Sequence, residues 1–582
     1  MDQKNLIFAI VLSVSILFAY QYLIAPKLQS PQAPPETSQS TAQPAAPGAP
    51  GVVAPPTAAA APTVIPREAA LKETPRLAID TLRLKGSINL VGAKIDDLTL
   101  VNYREEPDPS SPEIVLLAPA GTEHPYFLEF GWVASDPSVK VPGADTRWTS
   151  TGGALTADHP VELSWDNGAG LTFKRRFAVD PDYMFAVDQT VENHSGQPVK
   201  LLTYGRDARL GEVPVSGTYL LHEGPIGVID GTLHDGSCML GLNCDPFDYR
   251  LMKKGGSPPP YATTGGWFGF TDKYWLTALI PDQHQAIRAT LRFGDAGHTD
   301  IYQIDYTGPE RTAEPGAAIT EQAHFFAGAK EVALLDRYES ALGIPRFDRA
   351  IDFGLFYWFT RPIFLALDFF YKLIGNFGLA IMLLTVIIKL IFLPLANKSY
   401  TAMSKMKLLQ PEMTKLREKF GDDKAKLNQE MMALYKRVGA NPAAGCLPIV
   451  IQIPVFFSLY KVLYVTIEMR QAPFYGWIHD LSAPDPTSFV NLFGLLPFAT
   501  PGIISFLHIG AWPLIMGVTM FLQQKLNPAP ADPVQAKMMM ALPIVFTFML
   551  GQFPAGLVIY WSWNNLLSIT QQWVIMHRAG AA

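Results

Sequence analysis

Six windows of this chain are apolar and almost free of charge: Leu6 to Ile24, Phe377 to Ala396, Gly445 to Ile467, Ile509 to Gln524, Met538 to Gly551 and Pro554 to Val574. A hydrocarbon core takes ~20 apolar residues in a helix. Only helices and closed barrels satisfy every backbone polar group in lipid. The pattern excludes a wholly soluble enzyme and predicts an α-helical polytopic membrane protein with six spans. Charged residues are 17% of the 582, below the roughly 25% usual in soluble domains. A net charge of −6 gives no sign of a nucleic-acid partner. Cys238, Cys244 and Cys446 exclude a disulfide scaffold and a four-cysteine zinc site. Spacing alone leaves pairing of Cys238 with Cys244 open.

The remaining segments organise the chain. Residues 1–25 read as an uncleaved anchor, because no small-residue cleavage site closes the apolar stretch. Residues 26–66 are Pro/Ala-rich and read as a flexible tether. Residues 67–340 show period-two alternation, as in Phe173, Arg175 and Phe177 and then Tyr183, Phe185, Val187 and Val191, with Gly and Pro punctuation. A large all-β sandwich is expected there. It contains no Ser-His-Asp arrangement, metal-ligand spacing or phosphate loop, so no enzyme activity and no cofactor is expected; Glu105 and Glu106 read as a solvated turn. Residues 344–374, rich in aromatics and interrupted by charge, are expected to form an amphipathic helix at the membrane surface, kinked at Pro362.

The spans at 377–396, 445–467, 509–525, 538–551 and 554–575 are joined by a basic loop at 397–440, a loop at 468–508 and a loop at 526–537, with a tail at 576–582. Those at 509–525 and 538–551 are short or Pro-bearing, which leaves their ends open. Asn397 to Ala440 carries ten Lys/Arg against five Asp/Glu, and such loops stay cytoplasmic. Both termini are then inside and the β-domain outside. Phe489 to Leu507 is apolar but broken by Pro497, Pro501 and Gly502, which favours an insertion lying on the surface over a further span.

Within the basic loop, Met406, Leu409, Met413, Leu416 and Phe420 step by 3 and 4, as do Leu427, Met431, Leu434 and Val438. Two such seams around Gly421-Asp422-Asp423 predict an antiparallel hairpin, with the first arm re-initiating near Pro411 and the second stopped by Asn441-Pro442. Two readings stand: a plain connector, or a Met-rich surface for varied apolar partners. Lys389 is the other informative residue. A mid-span Lys costs ~3 kcal/mol, and no Asp or Glu lies in the core of any span. Either it snorkels to the headgroups, as Lys461 is expected to do nearer the outer surface, or a wet indentation surrounds it. Thr385 lies one turn before it. Trp561, Asn564, Asn565, Ser568, Gln571 and Gln572 follow one helical face of the last span, and Gln452 adds an amide. Interhelical hydrogen bonds would also explain these groups.

Leu408-Leu409-Gln410-Pro411, Gln429-Glu430-Met431-Met432-Ala433-Leu434-Tyr435-Lys436, Gly445-Cys446-Leu447-Pro448, Trp477-Ile478-His479-Asp480-Leu481, Met516-Gly517-Val518-Thr519-Met520 and Phe553-Pro554-Ala555-Gly556-Leu557 resemble the YidC/Oxa family of membrane protein insertases in its Gram-negative form. The resemblance implies a five-helix insertase core in the inner membrane, a periplasmic β-sandwich and a cytoplasm-facing hydrophilic groove. It places Lys389 at the groove's cationic site, with Thr385, Gln452, Tyr560 and Trp561 on the lining; Asn564, Asn565 and Ser568, from the polar face of the last span, join them as groove candidates. The hairpin, through Met406, Met413, Leu416, Met431 and Leu434, would receive substrate. Implied partners are nascent membrane proteins, ribosome–nascent chain complexes, the Sec translocon and the phospholipid bilayer. Two departures are notable: Lys389 replaces the usual Arg and lacks its bidentate fork, and the 489–507 insertion lies outside the family pattern. The tail also lacks the basic extension that tethers ribosomes in some relatives. The alternative functions are a transporter or channel using Lys389, and a glycan-binding β-domain.

Overall fold

The computed structural model describes residues 64–578 apart from 212, 214, 216–220, 238–244, 256, 297–298, 355, 421–422, 439–446, 497–508 and 528–532. The expected anchor, nearly all of the tether, the three cysteines, the Asn441-Pro442 stop, most of the 489–507 insertion and the end of the tail lie outside the described residues.

Alternating apolar strands pair into two antiparallel sheets. One holds ten strands, and its path runs Arg76–Asp80, Leu84–Asn89, Lys94–Arg104, Tyr126–Ala134, Val199–Leu210, Thr299–Thr307, Ala286–Ala296 and Tyr261–Thr264. The other holds nine, with Gly224–Ile229, Trp267–Thr271, Trp275–Pro281, Ala318–Ala329, Met184–Asn193, Leu171–Val179 and Val161–Asp166 as its central run. Their inner faces interlock through Phe130 on Phe325, Tyr126 on Phe270 and Phe268 on Tyr306. Phe173, Phe177, Phe185, Val187 and Val191 are fully buried, as the period-two pattern requires. Arg175 occupies an inward position in the same strand. Its guanidinium lies 4.7 Å from the Trp148 ring centroid, and Nη1 donates to the Ala93 carbonyl at 3.2 Å. Burial pushes it down to about 10. At Gly328 a Cβ would meet the Tyr183 ring, so only glycine lets that ring close the core.

Among the described residues, ten α-helices follow the sandwich. They are α1 (Val332–Leu342), α2 (Tyr357–Ile374), α3 (Phe377–Ile391), α4 (Leu393–Leu408), α5 (Gln410–Phe420), α6 (Lys424–Val438), α7 (Leu447–Val465), α8 (Ala511–Leu526), α9 (Pro533–Leu550) and α10 (Ala555–Arg578). The helix expected over 344–374 starts only at Tyr357. Arg346 and Gly354 take left-handed backbone (φ 52° and 75°), which stops helix propagation. Pro362 is accommodated inside α2. The span expected over 377–396 ends at Ile391, and α3 meets α4 at a bend of 70°. Pro394, near the start of α4, cannot donate to the preceding turn. Among the described residues no single helix is long and apolar enough to cross a membrane, while the bent α3–α4 pair passes by length and composition.

Polar contacts tie the sandwich and the segment before α2 to α7 and the residues that follow it. Arg470 Nη2 donates to the Arg104 carbonyl at 2.5 Å, Lys273 sits 3.7 Å from the Tyr464 ring centroid, and Lys461 pairs with Asp352 at 2.7 Å. The ammonium of Lys461, expected to snorkel, is held by that carboxylate. The acid comes from the segment before α2, outside any expected span.

Glu468, just after α7, accepts the Val332 N–H at 2.9 Å and so caps the start of α1, while its other oxygen is buried without a hydrogen bond. Glu331, Asp368, Lys372 and Tyr103 are the titratable groups around it. Burial first, then Glu331 and Asp368, push its carboxyl up to about 7 from 4.5. A raised folded-state value stabilises the protonated form: the contribution is complete below the unfolded value and is lost as pH rises through 7. The thermal midpoint of the full chain is therefore expected to fall between about pH 5 and 8. The Glu468→Gln variant should show a flatter profile, and identical profiles would refute this.

Candidate functional site

The candidate site forms where α3 bends into α4. Asn376 caps α3, its side chain accepting the Leu379 N–H at 3.1 Å, so the helix starts at a fixed residue and reaches its last turn at Lys389. A cation there faces the negative end of the helix dipole. Phe392 sits at the bend, and beyond it α4 turns Leu395, Ala396 and Tyr400 back towards α3. With Thr385, Ile388 and Lys389 of α3, Gln452 and Val455 of α7, and Tyr560, Asn564 and Gln571 of α10, they line an open cleft.

Lys389 is half-buried, and Nζ donates to Ser568 Oγ at 2.5 Å. No carboxylate pairs with it among the described residues. Ser568 in turn donates to the Asn564 carbonyl at 2.8 Å. Thr385, 3% exposed, spends its hydroxyl proton on the Ile381 carbonyl at 2.7 Å, a common outcome for a helical Thr. Gln452 Nε2 donates to the Tyr560 hydroxyl, tying α7 to α10 across the cleft. Trp563 Nε1 donates to the Met382 carbonyl at 3.2 Å, fixing α10 against α3.

The polar face expected on the last span divides between two neighbours. Tyr560, Asn564, Ser568 and Gln571 serve the cleft and Lys389. Trp561 turns away and stands edge-on to Phe456 at 4.7 Å between centroids. Asn565 Nδ2 donates to Thr519 Oγ1 at 3.2 Å, and Gln572 Nε2 to Asn527 Oδ1 at 3.1 Å. Asn565 and Gln572 thus stitch α10 to α8 and the residue that follows it. Tyr400, Phe392 and Leu395 were missed as lining residues; Pro394 was the signal, because it moves a helix start into the expected span.

In the hairpin, Leu409 and Leu434 are buried, with Met406, Met413, Leu416 and Tyr435 packed on them. Four of the five expected client contacts are therefore taken up within the hairpin's own seam, as two antiparallel arms of 3.5 period require. Met431 is half-buried, while Met432 and Leu408 are exposed at 53% and 58%. No group of His, Cys, Asp and Glu among the described residues could hold a metal ion.

Residues 76–366 match the family model of the YidC periplasmic domain, and 369–581 that of the 60Kd inner membrane protein. The membrane protein insertase YidC of Granulibacter bethesdensis is 51% identical over 99% of this chain and 98% of its own length. That of Methylobacterium nodulans is 51% identical over 100% of this chain and 96% of its own. A crystal structure of an active YidC insertase covers 85% of this chain and 91% of its own at 17% identity, with a TM-score of 0.35. With both family models and full-length relatives agreeing, the chain belongs to the YidC family of membrane protein insertases, inner-membrane proteins with a periplasmic domain.

Proposed function

We propose that the Lys389 cleft receives the hydrophilic flank of a nascent membrane protein while its apolar segment moves sideways into lipid. The observation that carries this reading is a single ammonium held by one serine hydroxyl, with no carboxylate partner among the described residues, in a cleft walled by hydroxyl, amide and apolar groups. An ammonium has three donors, so Lys389 keeps donors for an incoming carboxylate and lowers its desolvation cost. Burial of the apolar segment in lipid then drives the step, with no covalent chemistry or nucleotide.

The topology that serves this mechanism has six spans, both termini cytoplasmic and the β-domain periplasmic. The excess of Lys and Arg in 397–440 supports that orientation. Clients arrive as ribosome–nascent chain complexes, and the protein works alone or beside the Sec translocon. The test measures insertion of a single-span client with an acidic external tail by protein carrying Lys389→Ala or Lys389→Arg. Arginine should support insertion and alanine should not. Equal insertion by the alanine variant would make the charge structural.

A further inference from the structure

No Asp, Glu, Lys or Arg occurs between Asp485 and Lys525, and the described start of this stretch forms a tight apolar turn. Phe489, Leu492, Phe493, Leu495 and Leu496 are exposed at 36, 52, 45, 83 and 39%. Leu492 and Phe493 both hold left-handed backbone, with φ of 52° and 60°. Gly or Asn would serve that conformation at less cost, and bulky residues rarely adopt it. The one polar side chain in the turn, Asn491, accepts the Gly494 N–H at 3.0 Å.

The turn is anchored on the first residues of α8. Phe489 N–H donates to the Ile509 carbonyl at 3.0 Å, Ala511 N–H to Thr487 Oγ1 at 3.0 Å and Trp512 N–H to Asp485 Oδ2 at 2.9 Å. Trp477, 42% exposed, donates its indole N–H to the same Asp485 at 3.1 Å. Below the anchor, Ile515, Val518 and Leu522 of α8 are exposed at 42, 59 and 49%. The turn's exposed apolar residues therefore adjoin a helix that itself exposes apolar residues, in a chain of an inner-membrane family, and the exposed Trp477 is of the type enriched at membrane interfaces.

We propose that Phe489–Leu496 is a wedge that inserts into the lipid leaflet at the start of α8, on the periplasmic side, rather than a site for a protein partner. Absence of charge, continuity with the exposed flank of α8 and strain tolerated to keep apolar side chains outward all fit an acyl environment.

The test uses the full chain with Cys238, Cys244 and Cys446 replaced by Ser and Leu495→Cys carrying an environment-sensitive fluorophore. It is reconstituted in phosphatidylethanolamine–phosphatidylglycerol vesicles. Emission should shift to the blue and be quenched about twofold by nitroxide lipids labelled at the ~5–10 Å depth of interfacial elements. A label on Ser110→Cys, in an exposed turn of the β-domain, should stay unquenched. Replacing Leu492→Asn and Phe493→Gly keeps the left-handed turn while removing its apolar groups, and should reduce quenching at position 495. Water-like emission without quenching would overturn the proposal. So would blue-shifted emission that lipid nitroxides do not quench, which would mean that protein covers the turn, and so would quenching unchanged by the double substitution.

Discussion

Replacing Lys389 with alanine is expected to reduce insertion of an acidic-tailed, single-span client by about tenfold or more, leaving a neutral-tailed client nearly unaffected. A carboxylate 4 Å from an ammonium gains about 4 kcal/mol at an effective dielectric of ~20. The cleft is open, so screening reduces that gain. Retaining a third of it leaves ~1.4 kcal/mol, about tenfold in the captured population. Lys389→Arg should keep most of the activity, because it keeps the cation and a guanidinium also donates to a carboxylate. Ser568→Ala separates charge from position. It removes the one hydrogen bond that the ammonium makes among the described residues and keeps the cation, so it should cost far less than the alanine at 389. If both alanine variants are equally impaired for acidic and neutral tails, Lys389 acts by bracing α3 against α10 and capture by charge fails.

The sandwich was legible because local period reports burial. Phe173, Phe177, Phe185 and Val187 alternate in the sequence and are fully buried in the structure. The hairpin arms were legible for the same reason: Leu409 and Leu434 lie on the stepped positions and meet. Period did not say whether those seams would face a partner or each other, and each other is where most of them went. The same ambiguity divided the last span. Positions 561, 564, 565 and 568 share a face in the helical count, yet side chains one residue apart diverge by about 100°, since a turn holds 3.6 residues. That angle sends Asn564 to the cleft and Asn565 to Thr519.

Pairings between distant segments left no local trace. Asp352 on Lys461 spans 109 positions and Glu468 on Val332 spans 136. A search for acids confined to the spans could find neither. The bend at Phe392 did have a signal, because Pro394 is poorly placed inside a helix but well placed at the start of one. The sandwich's inner polar pairs were hidden too: period counts them as breaks in an apolar face rather than as bonds between sheets.

One such bond sets the largest expected effect on stability. Asp272→Ala should cost the β-domain about 3 kcal/mol or more, read as a shift in its urea transition by tryptophan emission from the full chain in detergent. Arg209 comes from the ten-stranded sheet and Asp272 directly follows Trp267–Thr271 of the nine-stranded one. Arg209 Nη1 and Nη2 donate to the two Asp272 oxygens at 2.7 and 2.6 Å. The Arg209 side chain is only 8% exposed, its guanidinium lies 4.0 Å from the Tyr126 ring centroid, and Nε is buried without a partner. Removing Asp272 would leave that cation with Tyr249 Oη, 3.2 Å away, as its only hydrogen-bond acceptor among the described residues. The cost is that of a buried charge losing its counterion, so it should largely vanish when Arg209→Met accompanies Asp272→Ala, because removing both charges removes the desolvation cost as well. The exposed pair Lys200–Glu310, with side chains 60 and 42% exposed, provides the contrast: Glu310→Ala should cost less than about 1 kcal/mol. A loss at Asp272 no larger than at Glu310 would mean that water reaches the guanidinium, and this pair would then add little to what joins the two sheets.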